Sequence, residues 1–508
     1  MSWRRRYLLV VAIETPPYEP KMKGLLGALV IFVIFAAACR PGLGASASGQ
    51  GLRVLTRDTG AIAGPALRHG ESYQAGTGTP VSVTQIPFAD LYERIMLGFV
   101  TGALPYDVLL IPSAWLPDFA PFLASAPESL VESPDFADIL PVYRDSLMRW
   151  RGGWMALTVD GDLHLGTYRR DLFDDLPTRE AFRARYGRPL EPPRTWEEYR
   201  DIAAFFSDRT APDGTPLAGT LEAYARGGQR IWYLFSHAAT YANHPDHPGA
   251  MFFDPDTMTP AIDNPAWIRA LDEMLDLRQF GPEDAASLDS EAVRLRFAQG
   301  EAAMDIDWAD TGVLAGDPLR SRVAGKLGFF PLPGSREVWN PATKAWDPWA
   351  EPRSVTFLAF GGWIGVAPAA SPRQDQAWSY LAWYGSPEHS AVDVLDGNSG
   401  INPYRRSQLE DPEPWRRLLG DRVGTAYLDV LRASLSSPYL ARDLRLPGYR
   451  AYISALEDQL DRVMAGEITP GQGLHAAAES WESLTDRLGR DSQRRHYRRA
   501  MGLASEPE

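Results

Sequence analysis

The sequence predicts an α/β protein with two lobes, each built on a parallel sheet. Strand and helix patterns alternate along the chain, helix-start signals recur to the C-terminus, and 508 residues are too many for one ordinary core. A strand followed by a helix and a second strand predicts a parallel pair. The sequence shows no repeat of about 20 to 50 residues, which argues against a solenoid.

The start of the chain is predicted to carry an export signal. Two lysines precede an apolar run over residues 24–38, and Cys39, the only cysteine, follows directly. A basic start, an apolar stretch of about 7–15 residues and small residues before the cut are typical of a secretory signal, whereas a membrane span needs about 20 residues. The pattern Ala36–Cys39 resembles a bacterial lipoprotein signal, in which the thiol is acylated. A buried free thiol is the alternative.

Residues 1–38 are therefore predicted to be a signal peptide, and the acidic and proline residues early in this segment favour Met22 as the true start. Residues 39–51 are small and flexible, and we interpret them as a lipid-anchored tether. The mature chain is expected to be extracytoplasmic, in the cell envelope of a bacterium, and held on a membrane by a lipid on Cys39.

The composition excludes several classes of protein. A net charge of −14 and a sequence pI near 5.2 argue against a nucleic-acid partner, which requires clustered positive charge. A hydrophobic content of 45% with 16 Trp, 20 Tyr and 20 Phe is that of a folded, aromatic-rich globular protein. No second cysteine is present to form an internal disulfide.

The elements can be justified in order from the tether onward. Residues 52–55 and 80–86 alternate as strands do, residues 88–101 have apolar side chains at helical spacing, and residues 106–111 return to a strand pattern. Further strands are predicted at residues 327–330 and 355–360. Capping signals predict later helix starts at Thr195, Asn264, Ser371, Ser386 and Thr469.

The sequence has no motif for generic hydrolase, nucleotide or metal chemistry. It contains no Gly-x-Ser-x-Gly nucleophile elbow, no Gly-x-x-x-x-Gly-Lys phosphate loop and no His-Glu-x-x-His metal helix. The densest histidine group is His237, His244 and His247, but nearby Asn, Pro, Asp and Gly residues favour a turn-rich loop over a metal site. We therefore predict neither a metal nor a cofactor.

Eight segments, in this order, resemble the extracellular solute-binding proteins (family 1) of sugar-importing ABC transporters. They are residues 105–115, 160–173, 193–199, 297–304 with Trp308, 332–334, 361–363, 377–383 and 465–470. The resemblance extends from about Arg53 to about Trp481.

This resemblance implies a periplasmic-binding-protein fold of type II, in which two α/β lobes are joined by crossover hinge strands. The first lobe is expected over residues 52–159 plus 327–385, and the second over residues 160–326 plus 386–490. Residues 491–508 are expected to be a charged C-terminal tail. Ligand would lie in the cleft between the lobes, in agreement with the rule that open parallel sheets bind ligands beyond the carboxyl ends of their strands.

Candidate ligand-binding residues follow from the chemistry of a sugar, whose hydroxyls need directional partners and whose C–H face prefers an aromatic ring. Asp160 and Asp162 have the two-residue spacing that puts both side chains on one face of a strand, and carboxylates accept strong hydrogen bonds from hydroxyls. The resemblance places Trp308 at the family's stacking position, and Trp363 lies in a Gly-Gly-Trp motif in which small residues such as Gly362 would let the backbone approach the ligand. The alternatives are an Asp turn and core tryptophans.

Three further residues are weaker candidates for the cleft. Trp115 ends a predicted strand, where a cleft residue is expected. The resemblance places Asn398 and Arg405 in a late loop that reaches the cleft.

The sequence thus favours a non-enzymatic, lipid-anchored receptor that captures a mono- or oligosaccharide and delivers it to the transmembrane subunits of an ABC permease. We expect it to act as a monomer. Another polar solute, such as a polyol, a glycerophosphodiester or an opine, is the first alternative, because the same scaffold accepts different ligands. A surface glycosidase, with two carboxyl groups about 5 to 9.5 Å apart, is the second.

Overall fold

The computed structural model describes residues 51–211, 214, 216–227 and 229–503, and the fold is stated for these residues. The predicted signal peptide and Cys39 lie outside this range, as does nearly all of the predicted tether. The described residues belong to one compact unit. None of its helices is long and apolar enough to cross a membrane.

Fifteen strands occur in the described residues. They are β1 (Leu52–Arg57), β2 (Val81–Ile86), β3 (Val108–Pro112), β4 (Arg149–Trp150), β5 (Gly153–Trp154), β6 (Leu157–Thr158), β7 (His164–Arg169), β8 (Ala218–Leu221), β9 (Ala302–Trp308), β10 (Leu327–Phe330), β11 (Ser335–Asn340), β12 (Ala345–Arg353), β13 (Thr356–Leu358), β14 (Trp363–Val366) and β15 (Leu440–Arg442).

Twenty-one α-helices accompany these strands in the described part of the chain. They are α1 (Gly60–Thr77), α2 (Phe88–Thr101), α3 (Leu116–Phe119), α4 (Glu128–Val131), α5 (Pro134–Ala137), α6 (Pro141–Leu147), α7 (Arg170–Asp174), α8 (Leu176–Tyr186), α9 (Trp196–Ser207), α10 (Arg230–Ala242), α11 (Pro265–Leu277), α12 (Ser290–Ala298), α13 (Thr311–Gly316), α14 (Gln374–Tyr384), α15 (Pro387–Val394), α16 (Arg406–Glu410), α17 (Glu413–Leu419), α18 (Asp421–Leu435), α19 (Tyr449–Met464), α20 (Pro470–Leu488) and α21 (Arg490–Ala500).

The first lobe is built on a five-stranded sheet of order β2-β1-β3-β14-β6. Strand β1 is parallel to both β2 and β3, with Val54 opposite Val83 and Val108. The predicted strand-helix-strand unit is therefore confirmed. Strand β14 runs antiparallel to its neighbours β3 and β6. Its first residue, Trp363, pairs with Pro112, the last residue of β3, so both lie at the same edge of the sheet.

The second lobe is built on a four-stranded sheet of order β10-β7-β9-β8. Strand β9 is buried along its whole length and runs parallel to β8 and antiparallel to β7. Strand β10 also belongs here, although the sequence prediction placed residues 327–385 in the first lobe. Two glycines make this pairing possible: the ring of Phe330 occupies the side-chain space of Gly166, and the ring of Tyr168 occupies that of Gly328.

Two other chain segments differ from the expected lobe boundaries. Helix α15 stays with the first lobe, because Asp393 accepts hydrogen bonds of 2.7 Å from both Arg68 and His69 of α1. The chain therefore crosses after α15 and not at Gly385. Helix α21 covers much of the expected charged tail and is packed, since the Tyr497 ring is fully buried.

Helix starts follow the predicted capping signals at four of five positions. At these four positions the capping side chain accepts a hydrogen bond from a backbone amide of the first helical turn. The four capping residues are Thr195, Asn264, Ser386 and Thr469. Ser371 differs, because its hydroxyl donates to the buried Asp107 at 2.8 Å and α14 begins only at Gln374.

The packing of α9 on β8 provides a test of this fold. A Cβ atom at Gly219 would lie 1.9 Å from the carbonyl oxygen of Ala203, so Gly219→Ala must displace backbone. We expect a loss of at least about 1–3 kcal/mol in the free energy of unfolding, measured by chemical denaturation. Gly64→Ala is the matched control, because a Cβ there meets nothing within 4 Å and helix propensity predicts a gain of up to about 1 kcal/mol. Equal effects of the two changes would contradict the packing.

Candidate functional site

The chain passes between the two lobes three times, and the three crossings meet. The first crossing joins β6 to β7, the second joins β10 to β14, and the third joins α15 to α16. The Val159 amide donates to the Trp363 carbonyl at 2.9 Å, which ties the first crossing to the second. Gly362 has φ 108°, and a Cβ there would lie 2.2 Å from the Asp160 carbonyl oxygen, so this close approach requires glycine.

The side chain and backbone of Asn402 tie the third crossing to the others. Its backbone amide donates to Asp160 Oδ1 and its Nδ2 donates to Asp162 Oδ1, both at 2.7 Å. Its Oδ1 accepts from the Asp310 amide at 2.7 Å, just after β9. We call these four residues the hinge cluster. All four are buried, and the cluster ties the first and third crossings to the end of β9.

The hinge cluster holds its carboxyl groups in an environment that favours the protonated form. Burial, with the charge of Asp310 added, raises the pKa of Asp160 to about 7, and the Asn402 amide opposes this shift. Burial also raises the pKa of Asp162, and the neighbouring Asp160 and Asp310 raise it further. Burial therefore favours the protonated form of both carboxyl groups more than water does.

The end of β9 adds further buried acids. Asp305 and Asp307 share one face of the strand, and burial raises the pKa of both, that of Asp307 to about 8. Asp307 accepts hydrogen bonds from the Tyr233 hydroxyl at 3.0 Å and the Trp308 amide at 2.8 Å. Arg294 of α12 forms an ion pair with Asp310. The second lobe therefore presents a carboxyl-rich edge to the crossings.

Six aromatic rings form a continuous row from one lobe to the other, which we call the aromatic array. In order, the rings are Trp308, Trp232, Phe360, Trp363, Phe88 and Trp115, and successive ring centres are 6.2, 4.8, 5.7, 6.1 and 5.5 Å apart. Trp308 ends β9, and Trp363 begins β14 beside the end of β3. The array thus spans the edges at which the two sheets face each other.

Polar groups accompany both halves of the array. On the second-lobe side, Asp443 accepts hydrogen bonds from Trp232 Nε1 at 2.7 Å and the Tyr449 hydroxyl at 3.3 Å, and burial raises its pKa to about 7. On the first-lobe side, the guanidinium carbon of Arg57 lies 5.1 Å from the Phe88 ring centre. The array therefore has a hydrogen-bonded carboxyl group beside Trp232 and a guanidinium group over Phe88.

The structure brings together six of the eight residues proposed from sequence. Trp115, Trp308 and Trp363 belong to the aromatic array, and Gly362 adjoins Trp363. Asp160 and Asp162 lie in the first crossing, next to Gly362. Because their oxygens accept hydrogen bonds from Asn402, we assign them to the hinge cluster.

The other two residues lie apart from the array. Arg405 is buried in the first lobe, where its guanidinium donates to the Asp135 and Gly385 carbonyls. Asn398 is exposed and lines a separate cavity beside α1.

Sequence reasoning missed several residues that the structure brings to this region. Trp232 lies on a helical pattern that is typical of a core residue, and Phe360 and Asp443 have no local signal. Asn402 precedes Pro403 in the same loop as Asn398, and this Asn-Pro pair is the one signal that could have identified it.

The histidine group is divided between elements. His237 lies within α10, stacked 3.7 Å from the Trp196 ring centre, whereas His244 and His247 follow the helix. His244 bonds to Asp347 at 3.1 Å and His237 to Glu222 at 3.1 Å. In the described part of the chain no three potential metal-ligand side chains converge.

Comparison with known sequences defines the class of protein to which this chain belongs. Residues 58–391 match the sequence profile of the bacterial extracellular solute-binding proteins. A probable amino-acid ABC transporter periplasmic-binding protein from Sinorhizobium fredii is 23% identical over 390 residues, which are 75% of this chain and 78% of that protein.

Solved structures share the fold. A maltose-bound protein of T. maritima superposes with a TM-score of 0.68 at 19% identity, covering 86% of this chain and 100% of its own. A solute-binding protein of Agrobacterium vitis with bound D-mannitol superposes with a TM-score of 0.65 at 20% identity, covering 87% of this chain and 99% of its own. A solute-binding protein of Agrobacterium radiobacter in complex with ribitol superposes with a TM-score of 0.67 at 20% identity, covering 86% of this chain and 99% of its own.

The two lobes and the three crossings are those of a two-lobed binding protein. The chain belongs to the bacterial extracellular solute-binding protein family. It is a solute-binding protein of an ABC transporter, and its family and relatives act outside the cytoplasmic membrane.

The raised pKa of Asp160 predicts how stability depends on pH. An unfolded Asp titrates near 3.9, so between about pH 4 and 7 the folded state holds a proton that the unfolded state has lost, and stability falls as pH rises. Asp160→Asn stays neutral, so we expect its free energy of unfolding to fall less steeply with rising pH than that of wild type. The two slopes should differ by up to about 1.4 kcal/mol per pH unit. Denaturation at several pH values measures this. Asp421→Asn, at an exposed position, is the control, and parallel slopes for Asp160→Asn and wild type would contradict the assignment.

Proposed function

We propose that this protein captures a sugar or a related polyol between its lobes and delivers it to the transmembrane subunits of an ABC importer. The observation that carries the proposal is the aromatic array, which joins the facing edges of the two sheets. A sugar presents C–H faces to aromatic rings and hydroxyls to polar groups. Relatives of the same fold bind maltose, ribitol and D-mannitol, which supports ligands of this class.

The roles of individual residues follow from the geometry. Trp308 and Trp363 would supply ring faces from opposite lobes, with Trp115 supporting the first-lobe side, and Gly362 would leave room beside Trp363. Asp443 accepts from Trp232 through Oδ2 and from the Leu444 amide through Oδ1, and a solute hydroxyl would donate to the second lone pair of Oδ1. Asp160 and Asp162 would contribute mainly by fixing the crossings, because each already bonds to Asn402.

Entry of a solute requires the lobes to separate. In the structure the array rings contact each other and Trp232, Phe360 and Trp363 are at most 5% exposed, so no sugar fits between them as they stand. Rotation about the three crossings would open the array, and closure around the solute would produce the form that the importer recognises. We place the lobes at residues 52–158 plus 363–394 and residues 164–330 plus 406–503.

A binding role without catalysis is consistent with the family, whose members are binding proteins. In the glycosidase alternative, one carboxyl group would have to act as an acid and another as a base or nucleophile on the same bond. Asp160 and Asp162 instead face Asn402 within the hinge cluster. Return of an intact oligosaccharide after incubation with the protein separates the two functions.

The solute is first identified by a thermal-shift screen of sugars and polyols, since ligand at about 100 times its Kd adds about 2.7 kcal/mol of stability. Trp308→Ala should then weaken binding of the identified solute about tenfold, because ring contacts contribute about 0.5–1.5 kcal/mol beyond area burial. Titration calorimetry measures this. Trp415→Ala is the control, because Trp415 is 1% exposed and lies outside the array. It should cost about 3–5 kcal/mol of stability and leave Kd unchanged. Equal Kd values for Trp308→Ala and wild type would remove Trp308 from the site.

We also propose that Cys39 carries the lipid that holds the protein on the membrane. The small residues before Cys39 and the preceding apolar run support this. Cys39→Ser should abolish incorporation of a labelled fatty acid and move the protein from the membrane fraction to the soluble fraction. Equal labelling of the variant and wild type would refute lipidation at this residue.

A further inference from the structure

The loop between β15 and α19 is anchored in the second lobe and reaches the first. Two bonds anchor it: Asp443 accepts from Trp232 Nε1 of α10, and the Pro447 carbonyl accepts from Gln493 of α21 at 2.8 Å. Between these two anchors, the side chain of Arg445 extends to the first lobe. The loop therefore belongs to the second lobe, while one of its cations bonds to the first.

The guanidinium of Arg445 donates to four backbone carbonyls of the first lobe. Its Nε donates to the Ser113 carbonyl at 3.3 Å, and its Nη2 donates to those of Leu147 and Arg149 at 2.9 and 3.0 Å. Its Nη1 donates to the Ser146 carbonyl. Arg445 is 8% exposed, so these bonds replace nearly all of its contact with water.

Two of these acceptors are the last carbonyls of α6, those of Ser146 and Leu147. The final carbonyls of a helix have no partner within the helix, and they give its C-terminal end a partial negative charge. A guanidinium at this end both satisfies the carbonyls and interacts favourably with the helix dipole. Arg442 brings a second cation to the same end, with its Nε donating to Ser146 Oγ at 3.1 Å. The second lobe thus caps a helix of the first.

No carboxylate balances the charge of Arg445. Burial lowers its pKa to about 10, and no charge on a described residue opposes this shift. The bonds that stabilise the buried guanidinium therefore come from carbonyls of the opposite lobe, and separation of the lobes breaks them. In the open arrangement water would solvate the guanidinium and the carbonyls alike. These bonds therefore favour the closed arrangement specifically.

A second contact of the same loop has the opposite polarity. Gly448, the N-cap of α19, donates its amide to Asp118 Oδ1 of the first lobe at 2.7 Å, and Asp118 Oδ2 accepts from the Tyr92 hydroxyl at 2.9 Å. A carboxylate is favourable at a helix N-terminus, as a cation is at a C-terminus. Each lobe thus places a charged side chain at the end of a helix of the other.

Arg445 adjoins the proposed solute site. A cavity of about 20 Å³ lies between the lobes, and its lining includes Arg445 and Ser146 together with Asp443 and Phe360 of the site. A cavity of this size holds about one water molecule. A sugar or polyol can therefore enter only after the loop has moved away from α6.

We propose that Arg445 is an interlobe latch, a positioning residue that caps α6 across the cleft, holds the lobes closed and keeps Asp443 beside the bound solute. The latch must break each time a solute enters or leaves. Its part in solute release rests on the proposed function, whereas its hold on the closed arrangement requires no solute.

The separation of the lobes tests the latch directly. Spin labels on Thr101→Cys in α2 and Glu479→Cys in α20, two exposed positions of opposite lobes, report this separation by pulsed electron paramagnetic resonance. The protein is the full-length chain in detergent, with Cys39→Ser so that only the introduced cysteines are labelled. Arg445→Met keeps an unbranched chain without N–H donors. We expect at least a tenfold rise in the ratio of open to closed molecules, because the lost bonds exist only in the closed form.

Two variants are matched controls. Arg169→Met removes a guanidinium that is also buried, at 5% exposed, but bonds within the second lobe to Asp171 and the Gly300 carbonyl. It should lower the melting temperature and leave the label distances unchanged. Arg450→Met removes a bond between the lobes, to Glu93, at an exposed position where an ion pair contributes little. The ratio of open to closed molecules should then change less than twofold.

Solute release is measured by stopped-flow fluorescence with maltose, ribitol and D-mannitol, the solutes of the relatives. Arg445→Met should release a bound solute at least ten times faster than wild type, with an unliganded melting temperature within a few degrees of wild type. Arg445→Lys should lie between the two, because its single ammonium cannot reach all four carbonyls.

The outcomes separate the latch from the proposed function. Label distances of Arg445→Met equal to those of wild type would overturn the latch, and a fall in melting temperature without lobe separation would show a structural role. If Arg445→Met does not fold, the label distances of Arg445→Lys decide. Lobe separation with an unchanged release rate would remove Arg445 from the control of solute release. If none of the three solutes binds, the proposed function fails for them, while the label distances still decide the latch.

Discussion

The contacts of Asn402 are the constraint on which the rest of the structure depends. One short side chain and its backbone amide bond to Asp160, Asp162 and Asp310, and so connect the third crossing to the first crossing and to the end of β9. All of these groups are buried, so each lost bond would leave an unpaired polar group in a dry environment. The relative position of the two sheets follows from this cluster.

The aromatic array depends on the same contacts. Trp363 follows Gly362, whose backbone touches that of Asp160, and Trp308 precedes Asp310 by two residues. Movement of the crossings would therefore move the rings of both lobes together. The acids that the sequence predicts for ligand binding, Asp160 and Asp162, bond to Asn402 in this cluster, and burial raises the pKa of both.

Much of the fold could be predicted because its signals are local. The alternation in β1 and β2 and the apolar spacing of α2 reflect which face each element buries, and the caps at Thr195 and Thr469 act within one helical turn. Prediction failed where distant residues decided the outcome. Strand β10 joins the second sheet because Gly166 accommodates the ring of Phe330, and the hydroxyl of Ser371 donates to the buried Asp107 while α14 begins only at Gln374. Neither partner is near in sequence.

By itself, the sequence determined the α/β class and the order of the strands around α2, and it predicts an export signal and tryptophans at the ligand site. Hydrophobic period, capping chemistry and motif order act along the chain, and they can be read there. Only the tertiary structure decided that Asp160 and Asp162 bond to Asn402, that Trp232 and Phe360 complete the aromatic array, and that Arg445 bonds to carbonyls of the other lobe. Burial and hydrogen-bond pairing are properties of groups brought together from remote positions, so no local pattern specifies them.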